Sequence, residues 1–329
     1  MRALVIGTGS WGTALAQVLA DNGHEVVMWG RNPSEVADLQ GGRNSRYFGD
    51  TAITSAITVT ADPADIAGVF SLVLLAVPTR AFPSVYPLVA PHLREETVLV
   101  NAAKGFEPGT GKRLSVALSD AFSERTYRGI VSLVGPSHAE EVVRRMLTSV
   151  AAVSSDAALA AEVQAIFSND YLRVYATSDV VGAEYGVAVK NVIALASGML
   201  EGLGYGDNAK AALITRGLAE TVRYGVARGA RRETFFGLTG VGDLIVTCFS
   251  PHSRNYRAGL SIGRADSGEA IRELDLTVEG VDNCREVAEG ARAVGVEMPI
   301  VFAVFDVLFG GVRPSDALRA LMQRPLRSE

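Results

Sequence analysis

The chain has 329 residues, 48% hydrophobic and 20% charged, which supplies enough apolar material for large cores and a length that suits two domains. A formal net charge of −5 argues against a nucleic-acid partner, which needs a basic face. Two cysteines, Cys248 and Cys284, cannot build a disulfide framework or a zinc site alone, so no metal is expected and a reducing, cytoplasmic compartment is.

Residues 2–6 are a short apolar run of β-formers, expected as a buried strand. Gly7-Thr8-Gly9-Ser10-Trp11-Gly12 follows, and then a good helix that stops at Asn22-Gly23, with a second strand at 25–29. A G-x-G-x-x-G motif is weak evidence alone. Placed between strand and helix in a unit of about 30 residues, it reads as a dinucleotide loop. Gly7, Gly9 and Gly12 then give a tight turn, close approach to a pyrophosphate and close helix packing, and the helix N-terminus attracts the phosphates. The end of the second strand reads Trp29-Gly30-Arg31-Asn32-Pro33, with no Asp or Glu for the adenosine ribose. Arg31 can meet a 2′-phosphate, so NADP is allowed beside NAD.

Further strands are expected at 57–60, 71–77, 98–101 and 130–134, and two more at 146–155 and 171–176. Strands alternating with crossovers imply a parallel, doubly wound sheet, whose ligands sit outside the carboxyl ends of the strands. Lys104, in Asn101-Ala102-Ala103-Lys104-Gly105, and Ser137, in Gly135-Pro136-Ser137-His138-Ala139-Glu140-Glu141, fall at such ends.

After Ser178-Asp179 strand signals all but vanish. The expected domains are 1–178, a Rossmann-type α/β domain, and 179–329, a mostly α-helical substrate-binding domain. In 186–196 Lys190 and Asn191 interrupt an otherwise apolar segment, which reads as a buried helix. A buried ammonium needs compensation, unless the stem carries it to water. Gly206-Asp207-Asn208 precedes a helix that Asp207 or Asn208 can cap. In Gly242-Asp243-Leu244-Ile245-Val246-Thr247, Asp243 and Thr247 share a face if the segment is helical. Ser253-Arg254-Asn255 opens another helix, where a Ser cap, a helix dipole and a guanidinium suit an anion. Residues 263–268 read as a mobile loop. Val278-Glu279-Gly280 leads into a further helix. The apolar run 298–312 is broken by Asp306 and is too short to span a bilayer.

Almost end to end, these motifs resemble the bacterial NAD(P)-dependent glycerol-3-phosphate dehydrogenases. The stretches that carry the resemblance include the glycine loop, Lys104-Gly105, 135–141, Lys190-Asn191-Val192, Gly206-Asp207-Asn208-Ala209, Gly242-Asp243-Leu244, Ser253-Arg254-Asn255 and Val278-Glu279-Gly280. One departure is the family's usual Leu-Pro-Gly turn, replaced here by Tyr47-Phe48-Gly49-Asp50. The resemblance implies reversible reduction of dihydroxyacetone phosphate to sn-glycerol 3-phosphate with NADH or NADPH, for glycerophospholipid synthesis. It also implies cofactor contacts from Ser10, Trp11, Arg31, Lys104, Ala139, Arg254, Val278 and Glu279. The phosphorylated triose would be held by Lys104, Gly135, Ser137, Lys190, Asp243, Ser253, Arg254 and Asn255, with Asn191 and Thr247 as candidates for its hydroxyls. Lys190 would transfer the proton, and the chain would form a homodimer with no nucleic-acid partner. Two alternatives stand beside this: a similar two-domain dehydrogenase for a 3-hydroxy acid or sugar acid, and a nucleotide-sensing regulator that keeps the fold without the chemistry. The anion site at 253–255 favours a phosphate, and Lys190, Asp243 and Lys104 favour catalysis.

Overall fold

The computed structural model describes residues 1–274 and 278–326. The chain divides into two compact units, Met1–Glu107 with Lys112–Val180, and Pro108–Gly111 with the chain from Val181 onward.

The first unit opens with β1 (Arg2–Ile6), α1 (Ser10–Asp21), β2 (Glu25–Trp29), α2 (Pro33–Gln40), α3 (Ser45–Phe48) and β3 (Ile57–Thr60). It continues through β4 (Leu72–Leu75), α4 (Phe82–Val89), β5 (Val98–Asn101), α5 (Leu114–Ala121) and β6 (Gly129–Val134). It closes with α6 (Ala139–Val142), β7 (Thr148–Val153), α7 (Ala157–Phe167) and β8 (Leu172–Thr177). The strands form one eight-stranded sheet in the order β3-β2-β1-β4-β5-β6-β7-β8. The period-2 alternation of strand side chains explains why both faces are covered. Ala3 and Val5 join the core under α1 and α7, whereas Leu4 and Ile6 join the one under α4 and α5. The order reverses between β1 and β4, which makes their carboxyl ends the expected crevice.

The expectation of a parallel sheet holds up to β6 and fails at the next strand, because β7 pairs antiparallel to β6. A parallel return usually crosses back through a full helix packed on the sheet. The β6–β7 connection holds just the four-residue α6, so the chain turns straight back.

The second unit contains α8 (Val180–Gly202), α9 (Asp207–Ala227), α10 (Asp243–Phe249), α11 (Arg254–Ala265), α12 (Glu279–Ala293), α13 (Pro299–Phe309) and α14 (Pro314–Met322). Helix α8 is buried on every side from Gly182 to Leu200. It is long and apolar enough to cross a membrane, but 89% of its apolar window is packed inside the protein. Glycines set its spacing from α11. A Cβ on Gly198 would strike the Tyr256 carbonyl, and one on Gly259 would strike that of Leu195. The same reciprocal contact recurs between Gly202 and Leu260 and between Gly263 and Met199. Two sequence expectations are corrected here. Residues 263–265 are helical, because Gly263 serves close packing instead of a loop, and α11 ends at a left-handed Asp266. Neither Asp207 nor Asn208 caps α9; its N-cap is Gly206, and Asp207 sits in the first turn, where its charge suits the helix dipole.

Glu220 of α9 caps a different helix. Its buried carboxylate accepts the Ile300 N–H at 2.9 Å and the Val301 N–H at 3.3 Å, at the start of α13. Burial outweighs these bonds and the more distant Arg223 and Arg324, and pushes the carboxyl up to about 7. A raised folded-state pKa contributes stability that is full below the unfolded value of 4.5 and is lost as pH rises through about 7. Glu220→Gln is therefore expected to flatten the fall in stability across that window, by about 3 kcal/mol at most. Urea midpoints measured across the window check this, and an unchanged slope would contradict it.

Candidate functional site

In the first unit, the glycine loop follows β1 at the sheet's point of reversal. Gly7 has φ +118°, and a Cβ there would lie 2.5 Å from the Ala76 carbonyl oxygen, just beyond β4. A Cβ on Gly12 would collide with the Gly7 carbonyl, so this residue lets α1 start against the turn. A Cβ on Gly9 would meet nothing within 4 Å. Two glycines therefore serve packing, and the middle one borders open space at the N-terminus of α1, beside Ser10 and Trp11. That is the division of labour a pyrophosphate site requires. The Trp11 indole N–H is buried and finds no acceptor, as a group awaiting a ligand would.

Asn44 locks this loop, which the sequence reading missed. Its amide donates to the Thr8 carbonyl at 2.9 Å and to Thr13 Oγ1 at 2.8 Å. The segment after Asn44 packs into the core, with Phe48 buried and Tyr47 against it. Arg31 lies exposed beyond the end of β2. At the ends of β5 and β6 the structure brings three expected residues together: Lys104 Nζ donates to the Gly135 carbonyl at 2.8 Å and to Ser137 Oγ at 3.4 Å. Ala139 is buried at the first position of α6.

In the second unit, Lys190 on α8 is just 4% exposed, so its stem does not carry the ammonium to water. Its Nζ lies 2.5 Å from Asp243 Oδ1 and donates to Thr247 Oγ1 at 2.9 Å. Asp243 and Thr247 do share a face of α10, one turn apart. The Thr247 hydroxyl donates in turn to the Asp243 carbonyl at 2.5 Å, which commits its proton to the protein. A wide, π-type turn at Leu238–Gly242 leads into α10, and Gly186 of α8 packs against the Thr239 carbonyl of that turn. The backbone contact fixes α8 against α10 one turn before Lys190. Asn191 is 2% exposed, and its side-chain NH2 has no acceptor.

Close by, Ser253 caps α11 by accepting the Tyr256 N–H at 3.2 Å. Asn255 Oδ1 accepts the Gly280 N–H of α12 at 2.9 Å, so what Asn255 retains for a ligand is its NH2. Gly280 is tight against α8 as well, since a Cβ on it would lie 2.8 Å from the Asn191 carbonyl. Arg254 is 46% exposed and 3.6 Å from Glu279, the first residue of α12, and Val278 is buried just before it. A half-exposed pair at that distance is weak, which leaves the guanidinium available to an anion. Tyr256 anchors the same turn from below: its hydroxyl and Lys210 Nζ both donate to Glu201. No spacing in the sequence connects those three residues, and they were not foreseen.

Residues 2–160 match the family model for the N-terminus of NAD-dependent glycerol-3-phosphate dehydrogenase, and residues 179–319 match the model for its C-terminus. The chain belongs to the NAD-dependent glycerol-3-phosphate dehydrogenase family. It is similar to glycerol-3-phosphate dehydrogenases [NAD(P)+] from Enterococcus faecalis, 45% identical over 100% of this chain and 97% of the relative, and from Geobacillus kaustophilus, 48% identical over 99% and 95%. Among solved structures, the glycerol-3-phosphate dehydrogenase from Coxiella burnetii superposes with a TM-score of 0.89 at 32% identity, over 98% of this chain and 99% of that one. A D-mandelate dehydrogenase, 14% identical with a TM-score of 0.65, shares the fold alone. As a member of this glycerol-3-phosphate dehydrogenase family, the chain is an oxidoreductase that uses NAD(P)H to reduce dihydroxyacetone phosphate reversibly to sn-glycerol 3-phosphate.

The buried Lys190–Asp243 pair is sensitive to the loss of either partner. Removing one partner of a buried ion pair leaves the other charge uncompensated, at a cost of roughly 3–5 kcal/mol. Asp243→Ala is expected to lower unfolding free energy by about that much in urea titrations, and a loss under about 1 kcal/mol would show the ammonium to be solvated.

Proposed function

We propose that Lys190 is the proton-transfer residue of this reaction, and that the single observation carrying the assignment is its buried ammonium, held 2.5 Å from Asp243. NAD(P)H, when bound, supplies a hydride for the C2 carbonyl carbon. Lys190 Nζ stands for the proton that the carbonyl oxygen must then receive, and its charge stabilises the oxyanion as it develops. Asp243 stabilises the ammonium and aims it. Thr247 accepts from the same Nζ and has spent its own proton, so it acts as a positioning residue more than as a substrate contact. The unpaired NH2 of buried Asn191 is suited to a substrate oxygen next to the reacting carbon.

The substrate phosphate is assigned to the first turn of α11. Ser253 closes the cap, Arg254 brings a guanidinium and Asn255 an NH2, and the helix dipole favours the negative charge. Lys104, Gly135 and Ser137 are assigned to the triose as well, with Lys104 shared with the cofactor. For the dinucleotide the proposed set is the loop Gly7, Gly9, Ser10, Trp11 and Gly12, with Arg31 and Ala139, and with Arg254, Val278 and Glu279 from the helical unit. The residues present fit that group: Gly9 borders space a phosphate can enter, and Trp11 holds an unsatisfied donor. We further propose that the enzyme is cytoplasmic and homodimeric, and that its product feeds glycerophospholipid synthesis.

Lys190→Ala is expected to lower kcat roughly 100- to 10,000-fold while leaving the NADH dissociation constant nearly unchanged. Wild-type turnover in that variant would reject the assignment. Arg254→Ala is expected to raise KM for dihydroxyacetone phosphate by roughly tenfold or more, since a charge-assisted contact of about 1.5–3 kcal/mol is removed. An unchanged KM would place the phosphate elsewhere.

A further inference from the structure

The end of β2 offers no carboxylate to an adenosine ribose, yet the structure brings one there from α2. Glu35 lies in the first turn of that helix, and Thr8 Oγ1 of the glycine loop donates to its Oε2 at 3.1 Å. Thr8 in turn occupies the space over Gly30, where any Cβ would collide with its side chain. The carboxylate of Glu35 thus stands beside the junction of the glycine loop with the end of β2. In dinucleotide-binding sheets that is where an acidic side chain reads the ribose 2′-hydroxyl. Its other oxygen takes an ion pair from Arg46 Nη1 at 2.6 Å, and the Glu35 side chain is 13% exposed against 64% for Arg46. Thr8 and Arg46 use two of the roughly four acceptor positions of a carboxylate, so capacity for a hydroxyl donor remains.

We propose that Glu35 is the coenzyme-selecting residue of this enzyme. It accepts the 2′-hydroxyl of NAD and repels the 2′-phosphate of NADP, and Arg46 is the countercharge that moderates the repulsion. Arg46 sits on α3, immediately before Tyr47-Phe48-Gly49-Asp50. Arg31, exposed after β2, pulls the other way by favouring a 2′-phosphate. The inference rests on the assignment of the dinucleotide to the glycine loop.

The test is the pair of dissociation constants for NADH and NADPH without substrate, read from coenzyme fluorescence, for wild type, Glu35→Gln, Arg46→Ala and Gly9→Val. Like-charge juxtaposition is commonly worth one or two factors of ten in affinity. Glu35→Gln is expected to shift the NADPH-to-NADH affinity ratio toward NADPH by roughly 10- to 100-fold. Arg46→Ala, a surface change that keeps the test open should Glu35→Gln fail to fold, is expected to shift the ratio toward NADH. The steady-state kcat/KM ratios should move in the same directions. Unchanged ratios in the folded variants overturn the proposal, and so does an equal weakening of both coenzymes, which would reduce Glu35 to a support for Thr8. Gly9→Val separates the two levels: it should weaken both coenzymes together, and wild-type binding there would overturn the loop assignment itself.

Discussion

The helical unit is organised around one buried ion pair. An ammonium held away from water is unstable unless a carboxylate and further acceptors surround it, and Asp243 and Thr247 supply both to Lys190. The arrangement tolerates little displacement, and the backbone is built to prevent displacement. Helix α8 touches the turn before α10 at Gly186 and crosses α11 at Gly198 and Gly202, with Lys190 between these contacts. Each contact is backbone against backbone, where no side chain can adjust. The same crossing sets α11 against α8, and α12 is set against both through Gly280. The Lys190 amine and the first turn of α11, the proposed proton donor and phosphate site, are thereby fixed within one helical unit.

The sheet unit solves a different problem, which is to leave backbone open for a ligand without loosening the fold. Gly7 and Gly12 close the turn against Ala76 and against each other, and Gly9 alone faces space. Asn44 then braces the loop through Thr8 and Thr13, so the openness at Gly9 does not become mobility. Glu35 braces Thr8 from the other side. Rigid donors that need no rearrangement on binding are what make a dinucleotide loop effective.

Much of this was legible in the sequence, for identifiable reasons. The glycine spacing announces itself because each glycine answers a local steric demand. Lys190 and Asn191 stand out because two polar residues in the otherwise apolar segment 186–196 require an explanation. Asp243 and Thr247 pair on one face because they are four apart in a helix. What stayed hidden depends on contacts between distant residues. Asn44 reaches Thr8 across 36 positions, and Tyr256 reaches Glu201 across 55. The antiparallel turn at β7 follows from the shortness of α6, which propensity alone does not reveal. Gly263 misled as a loop signal because glycine marks close helix packing as readily as it marks a turn.

Chemical rescue tests most directly whether a protonated amine at position 190 delivers the proton. Small primary alkylamines would be added to Lys190→Ala in the presence of NADH and dihydroxyacetone phosphate. Turnover is expected to recover in proportion to the ammonium form of the added amine. Absence of any recovery, with both ligands still bound by the variant, would contradict it.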